Sequence, residues 1–391
     1  MLVLALARGA EAFHYVTPRL LQITAASGAG AVASPRWAGL RYVVFDTDAD
    51  LLGTGSVGRQ VFLFDLMERD LQGSQALCQI TSGAGGSAHG SSGKRGQTIV
   101  YDTRPGGAGP RQIWLFERRT GARYALTAGT ADSVNPTMDD ASRAVVFESS
   151  ADFFSTGTPG VQVYRIDLRS LDPSCPYPCA TTANLGLTQI TNKAGTSGKA
   201  VVSTGGKTVA FESDADLLGT GESETQVYAF DSKTGLTTAL SQGPGASRNP
   251  TLNRSGGFVA FESDADLAGT GSGGTQIFLY RRSSGTLQQV TAAPGGSSRK
   301  PSLSSNGHAL AFVSTDDLLG TGAVGPEIYS HDLRKATLSR ITAAPASTSE
   351  PAYSAGVFAT FLANGDLLGN GTSGTALYLV NLYAVGSATV P

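Results

Sequence analysis

Acidic residues recur at fixed spacing along this chain, each followed by a small-residue turn. The string DLLGTG and its variants open on Asp50, Asp152, Asp216, Asp266, Asp317 and Asp366. A second acid stands two positions earlier at Asp48, Asp214 and Asp264. Calcium takes oxygen ligands from carboxylates, carbonyls and water. D-x-D with Thr and Gly carbonyls nearby is therefore a candidate calcium set: Asp48, Asp50, Asp214, Asp216, Asp264 and Asp266. The same residues also have a mechanical use. An Asp side chain accepts hydrogen bonds from the amides just ahead of it and locks a loop. The paired leucines would plug the seam between units, and the glycines would take positive φ. A device repeated this often reads first as structure, since one functional site needs one copy. Beyond such structural calcium, no cofactor is expected.

A less regular polar set stands at, or just before, the start of short segments often led by Pro: Arg36, His89, Asn135, Arg248, Asn249, Arg299, Lys300 and Glu350. NPTM at Asn135, NPTL at Asn249, KPSL at Lys300 and EPAY at Glu350 carry the pattern. Around a channel mouth, such a mixed ring suits an anionic or sugar-like ligand or a peptide. It also suits a solvated rim. The histidines are His14, His89, His308 and His331, and only His89 falls in this set. A His-rich metal site is therefore not expected. No G-x-S-x-G elbow occurs, and no Ser-His-Asp arrangement suggests itself. One stretch departs from the acidic pattern: YDTRPGGAG from Tyr101 replaces it and brings Arg104, Arg111 and Trp114.

The elements that must position these residues follow from the repeats. FESDADLLGTG at Phe211 recurs as FESDADLAGTG at Phe261, FESSADFFSTG at Phe147 and FDTDADLLGTG at Phe45. FVSTDDLLGTG at Phe312, FLANGDLLGNG at Phe361 and the short form at Tyr101 complete seven copies. A second apolar run follows each, such as QVFLFD at Gln60, QIWLFE at Gln112 and QVYAFD at Gln226, rich in the aromatic and β-branched residues of strands. The glutamines are expected to satisfy backbone groups of the adjoining loop between the second and third strands of the unit, the b–c loop. A third run ends in Ile-Thr or its equivalent, and the Pro-led segment precedes the Phe-containing one. Each unit thus has four strands, a to d, joined as antiparallel hairpins. The expected fold is all-β: a seven-bladed β-propeller of four-stranded blades. The last unit lacks strand d, while Leu21–Thr24 at the other end has its form. It is expected to join the last blade and close the ring.

These units resemble the TolB-like, or WD-repeat-like, β-propeller repeats of bacterial exported proteins. The Pro-[Ser/Thr]-apolar start of strand a, the Phe-x-Ser end of strand b, the Gln-[Val/Ile]-aromatic strand c and the closing Leu-Thr or Ile-Thr carry the likeness. It covers about residues 20–382. The resemblance implies a propeller; its members span periplasmic scaffolds, peptidase-associated propellers and some lyases.

The domain reading is a segment at 1–19, with Ala10-Glu11-Ala12 as a weak export-cleavage form, and one propeller over 20–391 with an insertion at 170–186. Cys175 and Cys179 in that insertion suit a local disulfide, while Cys78 reads as core. Charged residues are 15% and the net charge is −2, with no basic stripe and no membrane-length apolar run. The expectation is a periplasmic or extracellular monomer, without nucleic acid or a membrane span. It is read as a non-catalytic scaffold binding a protein, peptide or glycan on its b–c and d–a loop face. The alternative is a channel-based lyase or glycosidase using Asp/Glu with Arg or His89.

Overall fold

The computed structural model describes residues 20–24, 31–69, 75–170, 186–292, 295–322, 325–343, 347–369 and 374–382. Cys175, Cys179, His14, the segment 1–19 and all but the ends of the 170–186 insertion lie outside them.

Alternating apolar runs between glycine turns become strands throughout. A short β1 (Leu20–Gln22) comes first. Unit one is β2 (Val32–Ala38), β3 (Tyr42–Thr47), β4 (Gln60–Arg69) and β5 (Gln75–Gln79). Unit two is β6 (Ser87–Ser92), β7 (Thr98–Thr103), β8 (Gln112–Glu117) and β9 (Ala122–Ala125). Unit three is β10 (Ser133–Met138), β11 (Ala144–Ser149), β12 (Gly160–Asp167) and β13 (Leu187–Gln189). Unit four is β14 (Gly195–Val202), β15 (Thr208–Ser213), β16 (Gln226–Asp231) and β17 (Leu236–Ala239). Unit five is β18 (Ser247–Leu252), β19 (Phe258–Ser263), β20 (Gln276–Arg281) and β21 (Thr286–Gln289). Unit six is β22 (Ser298–Leu303), β23 (Ala309–Ser314), β24 (Glu327–Asp332) and β25 (Thr337–Arg340). Unit seven is β26 (Ser347–Tyr353), β27 (Phe358–Asn364) and β28 (Thr375–Asn381). Among the described residues the only helical elements are three 3-10 turns. Within each unit, neighbouring strands pair antiparallel. β12 also makes a two-residue parallel bridge to β14, Gly160 to Gly195 and Val161 to Thr196.

β1 pairs antiparallel with β28, Leu20 opposite Val380 and Gln22 opposite Tyr378. Thr24 then takes the place that Thr81 holds in unit one: its Oγ1 accepts the Leu377 amide at 2.9 Å, as Thr81 accepts Val61 at 2.9 Å. Residues from the two ends of the chain thus share one sheet.

The apolar faces are buried between sheets. Units one and three to seven each stack a strand-b ring on a strand-c ring, as in Phe45 on Phe62 at 5.7 Å and Phe211 on Tyr228 at 5.8 Å. Each core cluster draws on two adjacent units. Val44 and Val61 meet Ile99 and Tyr101, for example, and Phe45 and Phe62 meet Phe358 and Leu377 of unit seven. Full burial of one such aromatic is worth about 1.5–3 kcal/mol.

Two expectations need correction. Cys78 is exposed rather than core, because it lies on the outer-edge strand β5 with its side chain outward. The paired leucines do not both plug the seam. Leu51, Leu217, Leu267, Leu318 and Leu367 pack inward against the clusters, whereas Leu52, Leu218, Leu319 and Leu368 are exposed. The turn aims consecutive side chains to opposite sides.

Candidate functional site

Every a–b hairpin breaks register at one place, the innermost strand carrying the extra residue: between Ala33 and Arg36, Ala88 and Ser91, Val134 and Thr137, Gly198 and Val201, Arg248 and Thr251, Arg299 and Ser302, and Ser349 and Ala352. Within these bulges Ser34, His89, Asn135, Lys199, Asn249, Lys300 and Glu350 adopt φ between +49° and +54°. Such conformations cost about 1–3 kcal/mol each for non-glycine residues and persist only where neighbours hold them. A bulge also re-aims its side chain.

Carboxylates do the holding. The acid of the repeated F-[E/D]-[S/T] string on strand b accepts the bulge amide of the next unit. His89 N reaches Asp46 at 2.9 Å, Asn135 N reaches Asp102 at 3.0 Å, and Lys199 N reaches Glu148 at 2.6 Å. Asn249 N reaches Glu212 at 2.7 Å, and Lys300 N reaches Glu262 at 2.6 Å. Units six and seven carry Val313 and Leu362 at this position. The Ser34 amide is met instead by Glu350, itself a bulge residue, at 3.2 Å. Burial holds Asp46, Glu148 and Glu212 above the usual carboxylate range, against the bonds they accept. Burial also pushes Glu350 upward, but the Lys300 hydrogen bond at 2.9 Å, the Lys300 charge, the Ser34 amide and Lys199 outweigh it, and its pKa lies below the usual value.

The bulges ring a central cavity of ≈ 610 Å3. Arg36, His89, Asn135, Asn249, Lys300 and Glu350 all line it, with Lys199, Glu148, Trp37 and Tyr353. Arg36 reaches across to Pro136 O at 2.8 Å and Thr137 Oγ1 at 2.9 Å. Its burial lowers the guanidinium pKa, although Asp46, Glu148, Asp102 and Glu350 oppose that shift. Arg248 and Arg299 do not line the cavity. They precede the bulge and face away; Arg248 pairs with Asp264 at 3.4 Å and Arg299 is exposed.

His89 is the one imidazole of this cavity. Its Nδ1 meets Asp102 Oδ2 at 2.7 Å, and Arg111 Nε donates to Asp102 Oδ1. The carboxylate is fully buried, while the imidazole side chain is 36% exposed and so open to a ligand. In the neutral tautomer whose Nδ1 donates to this carboxylate, Nε2 is the acceptor. The arrangement can hold an anion with Arg36, Lys199 and Lys300 and move a proton at Nε2.

Sequence reasoning missed Ser34, Lys199 and the strand-b acids. The acids had a signal, the repeated Glu or Asp after the strand-b aromatic. Lys199 stands in GTSGKAVV, which lacks the Pro that marked other units.

The outer loop acids lie elsewhere. Asp50 accepts the Thr54 and Gly55 amides at 2.9 and 2.7 Å, and Asp152, Asp216 and Asp266 repeat this. These bonds lower the pKa of all four. Asp214 accepts the Thr196 amide at 2.6 Å, and Asp264 accepts the Thr275 hydroxyl at 2.7 Å. Asp48 is exposed. The strand-c glutamines serve the b–c loop only in part: Gln60, Gln162 and Gln276 donate to Val57 O, Pro159 O and Gly273 O there, whereas Gln112 and Gln226 donate to carbonyls of the d–a loop, at Gly129 and Ala131 and at Gly243 and Gly245.

No family model matches the chain, and no curated protein matches it. Solved structures do. An oligogalacturonate lyase in complex with manganese aligns over 93% of this chain and 96% of its own, at 14% identity and a TM-score of 0.58. The β-propeller domain of the Trilobed protease from Pyrococcus furiosus aligns over 90% and 93%, at 9% identity and a TM-score of 0.61. TolB from Acinetobacter baumannii aligns over 79% and 77%, at 14% identity and a TM-score of 0.45. The chain has the β-propeller fold of the first two of these structures. The expectation of a non-catalytic scaffold is corrected here, because a structure matched over nearly the whole length of both chains is an enzyme.

That lyase holds manganese, and the donor set here does not fit such an ion. No group of three or more His, Cys, Asp or Glu is placed to hold a metal among the described residues. The cavity offers one imidazole, with Nδ1 committed to Asp102, and its carboxylates Glu148 and Glu350 each bond a bulge amide. Lys199, Lys300 and Arg36 already supply positive charge there.

Proposed function

We propose that this chain is a closed seven-bladed propeller acting as an exported lyase on an acidic oligosaccharide bound in the central cavity. Pairing of β1 with β28, and cores that join each unit to the next and unit seven to unit one, support the blade count and closure. The observation that carries the activity is His89, oriented by Asp102 and Arg111 in a cavity that Arg36, Lys199 and Lys300 also line. Arg36, Lys199 and Lys300 hold the uronate carboxylate and neutralise charge as it spreads from the adjacent carbon. His89 Nε2 takes the proton from that carbon. The freed pair forms a C=C bond, and the glycosidic C–O bond breaks with its electrons on the leaving oxygen, which is then protonated. A glycosidase needs two available carboxylates; here the inner acids are bound to backbone amides, which favours elimination.

The test is incubation of the purified chain with galacturonate oligomers and with neutral oligosaccharides, following the ultraviolet absorbance of the unsaturated uronate. Absorbance should rise with the acidic oligomers alone. Release of saturated reducing ends from either class, or no product from any uronate, would reject the reading.

A further inference from the structure

A net charge of −2 conceals a division between the two ends of the sheets. In an antiparallel four-strand unit the b–c and d–a loops emerge at one end, and the a–b and c–d turns at the other. The b–c loops carry the recurrent acids from Asp50 to Asp366. The opposite turns carry cations. Lys94, Arg95, Arg143 and Lys207 stand on a–b turns of units two, three and four, and Lys233, Arg334 and Lys335 on c–d turns of units four and six. All seven are exposed. Among the described residues none of them forms an ion pair.

The acids at this end do not cancel them. Asp65, Glu117, Asp140, Asp167 and Asp231 each meet an arginine, respectively Arg41, Arg119, Arg254, Arg169 and Arg282. Asp139 and Asp332 accept backbone amides, among them those of Ala144 and Lys335. The end is therefore left positive, with the acidic b–c loops at the far side of the sheets.

These turns form one plate. Backbone bonds tie the a–b turns of units two to seven in series: Lys94 N to Asp140 O at 3.0 Å, Thr204 N to Arg254 O at 3.0 Å, Arg254 N to Ser305 O at 2.9 Å and Ser305 N to Ser354 O at 3.4 Å, with Gly205 N to Asp139 Oδ2 at 2.6 Å joining unit four to unit three. The c–d turn lies against the a–b turn of its own unit, as where Ser232 N donates to Lys207 O at 2.9 Å. A linear polyanion would meet one file of such cations. A planar anionic surface meets the inner and outer turns of several units at once. Leu40, in the a–b turn of unit one, and Leu236, just after the c–d turn of unit four, are 44% and 66% exposed at this same end. Apolar side chains beside Lys and Arg suit the boundary between headgroups and acyl chains.

We propose that the end bearing the a–b and c–d turns docks on a bilayer containing anionic phospholipids. Lys94, Arg95, Arg143, Lys207 and Lys233 meet the phosphates, Leu40 and Leu236 face the acyl boundary, and the acidic loops point away from the membrane. Such attraction fades within a Debye length, so it is sensitive to salt. It does not depend on chemistry in the central cavity.

The experiment sediments the full chain with vesicles of phosphatidylcholine, with and without phosphatidylglycerol, at low and high salt. Polygalacturonate and duplex DNA are tested beside them, and self-association is followed by analytical ultracentrifugation. Binding is expected only to vesicles with phosphatidylglycerol, with release at high salt. The triple variant Lys94→Glu, Lys207→Glu, Lys233→Glu should weaken it at least tenfold. Arg104→Glu, Lys193→Glu, Arg299→Glu makes the same charge change at the other end, on exposed residues, and should bind as the parent does. The proposal falls if the parent does not bind phosphatidylglycerol vesicles at low salt, or binds phosphatidylcholine vesicles equally. It falls also if high salt leaves binding intact, if the two triple variants bind alike, or if only polygalacturonate, DNA or a second copy of the chain is bound.

Discussion

Two rings of carboxylates use one bond for opposite ends. In the outer b–c loops, Asp50, Asp152, Asp216 and Asp266 accept amides of their own turn, lie in solvent and titrate low. In the inner ring, Asp46 and Glu148, both buried, and Glu212, half-buried, accept an amide of the next unit, and burial holds their pKa above the usual carboxylate range. Water decides the sign, because burial penalises the charged form more than the bonds reward it. The outer ring is nearly uniform and closes turns. The inner ring holds strained bulges whose side chains differ from unit to unit, and that variation gathers His89, Lys199, Lys300 and Arg36 in one cavity.

The sharpest way to break this contrast is activity. If the reading of the cavity holds, His89→Gln should lower kcat/KM on galacturonate oligomers by about 10²–10⁴-fold with the melting temperature kept, while Asp216→Asn leaves kcat/KM unchanged. Equal losses from both would erase the distinction between the rings.

Stability gives the next largest effect. Glu148→Ala leaves the Lys199 amide and Asn135 Nδ2 without their acceptor, at about 1–3 kcal/mol for each buried donor. Calorimetric melting should show a clear drop, and a smaller one for Asp216→Ala, whose freed amides meet water. The leucine pairs divide likewise. Leu51→Ala should cost about 2 kcal/mol for a partly buried position, and Leu52→Ser should stay within about 0.5 kcal/mol.

The finest test is the pH slope of stability. The depressed folded pKa of Asp216 adds stability above its unfolded pKa that is lost as pH falls through the folded value. The gap between the parent and Asp216→Asn should therefore close in acid. Glu148 has a raised folded pKa, so its favourable contribution belongs to the protonated form and is lost as pH rises through that value. The parent's stability relative to Glu148→Gln should fall from acid toward neutral pH. Parallel slopes in denaturant titrations would overturn the assignment of burial as the deciding term.

The repeated Phe, Gln and Thr positions and the glycine turns made the four-strand unit legible, since strand periodicity and turn chemistry are local. Leu21–Thr24 disclosed its pairing with the last unit because it completed a missing member of a series. Six of the eight polar residues chosen ahead of strand a do line the cavity, since they share a register with a fixed unit. Arg248 and Arg299 fell out because a bulge turns the side chain by one residue, and a bulge needs the neighbouring strand to exist. Tertiary structure alone decided which acids are buried, that Asp102 lies between His89 and Arg111, and that cations from the turns of several units share one end of the sheets. Each depends on atoms brought together from different strands or units, and spacing along a chain carries no measure of depth from water.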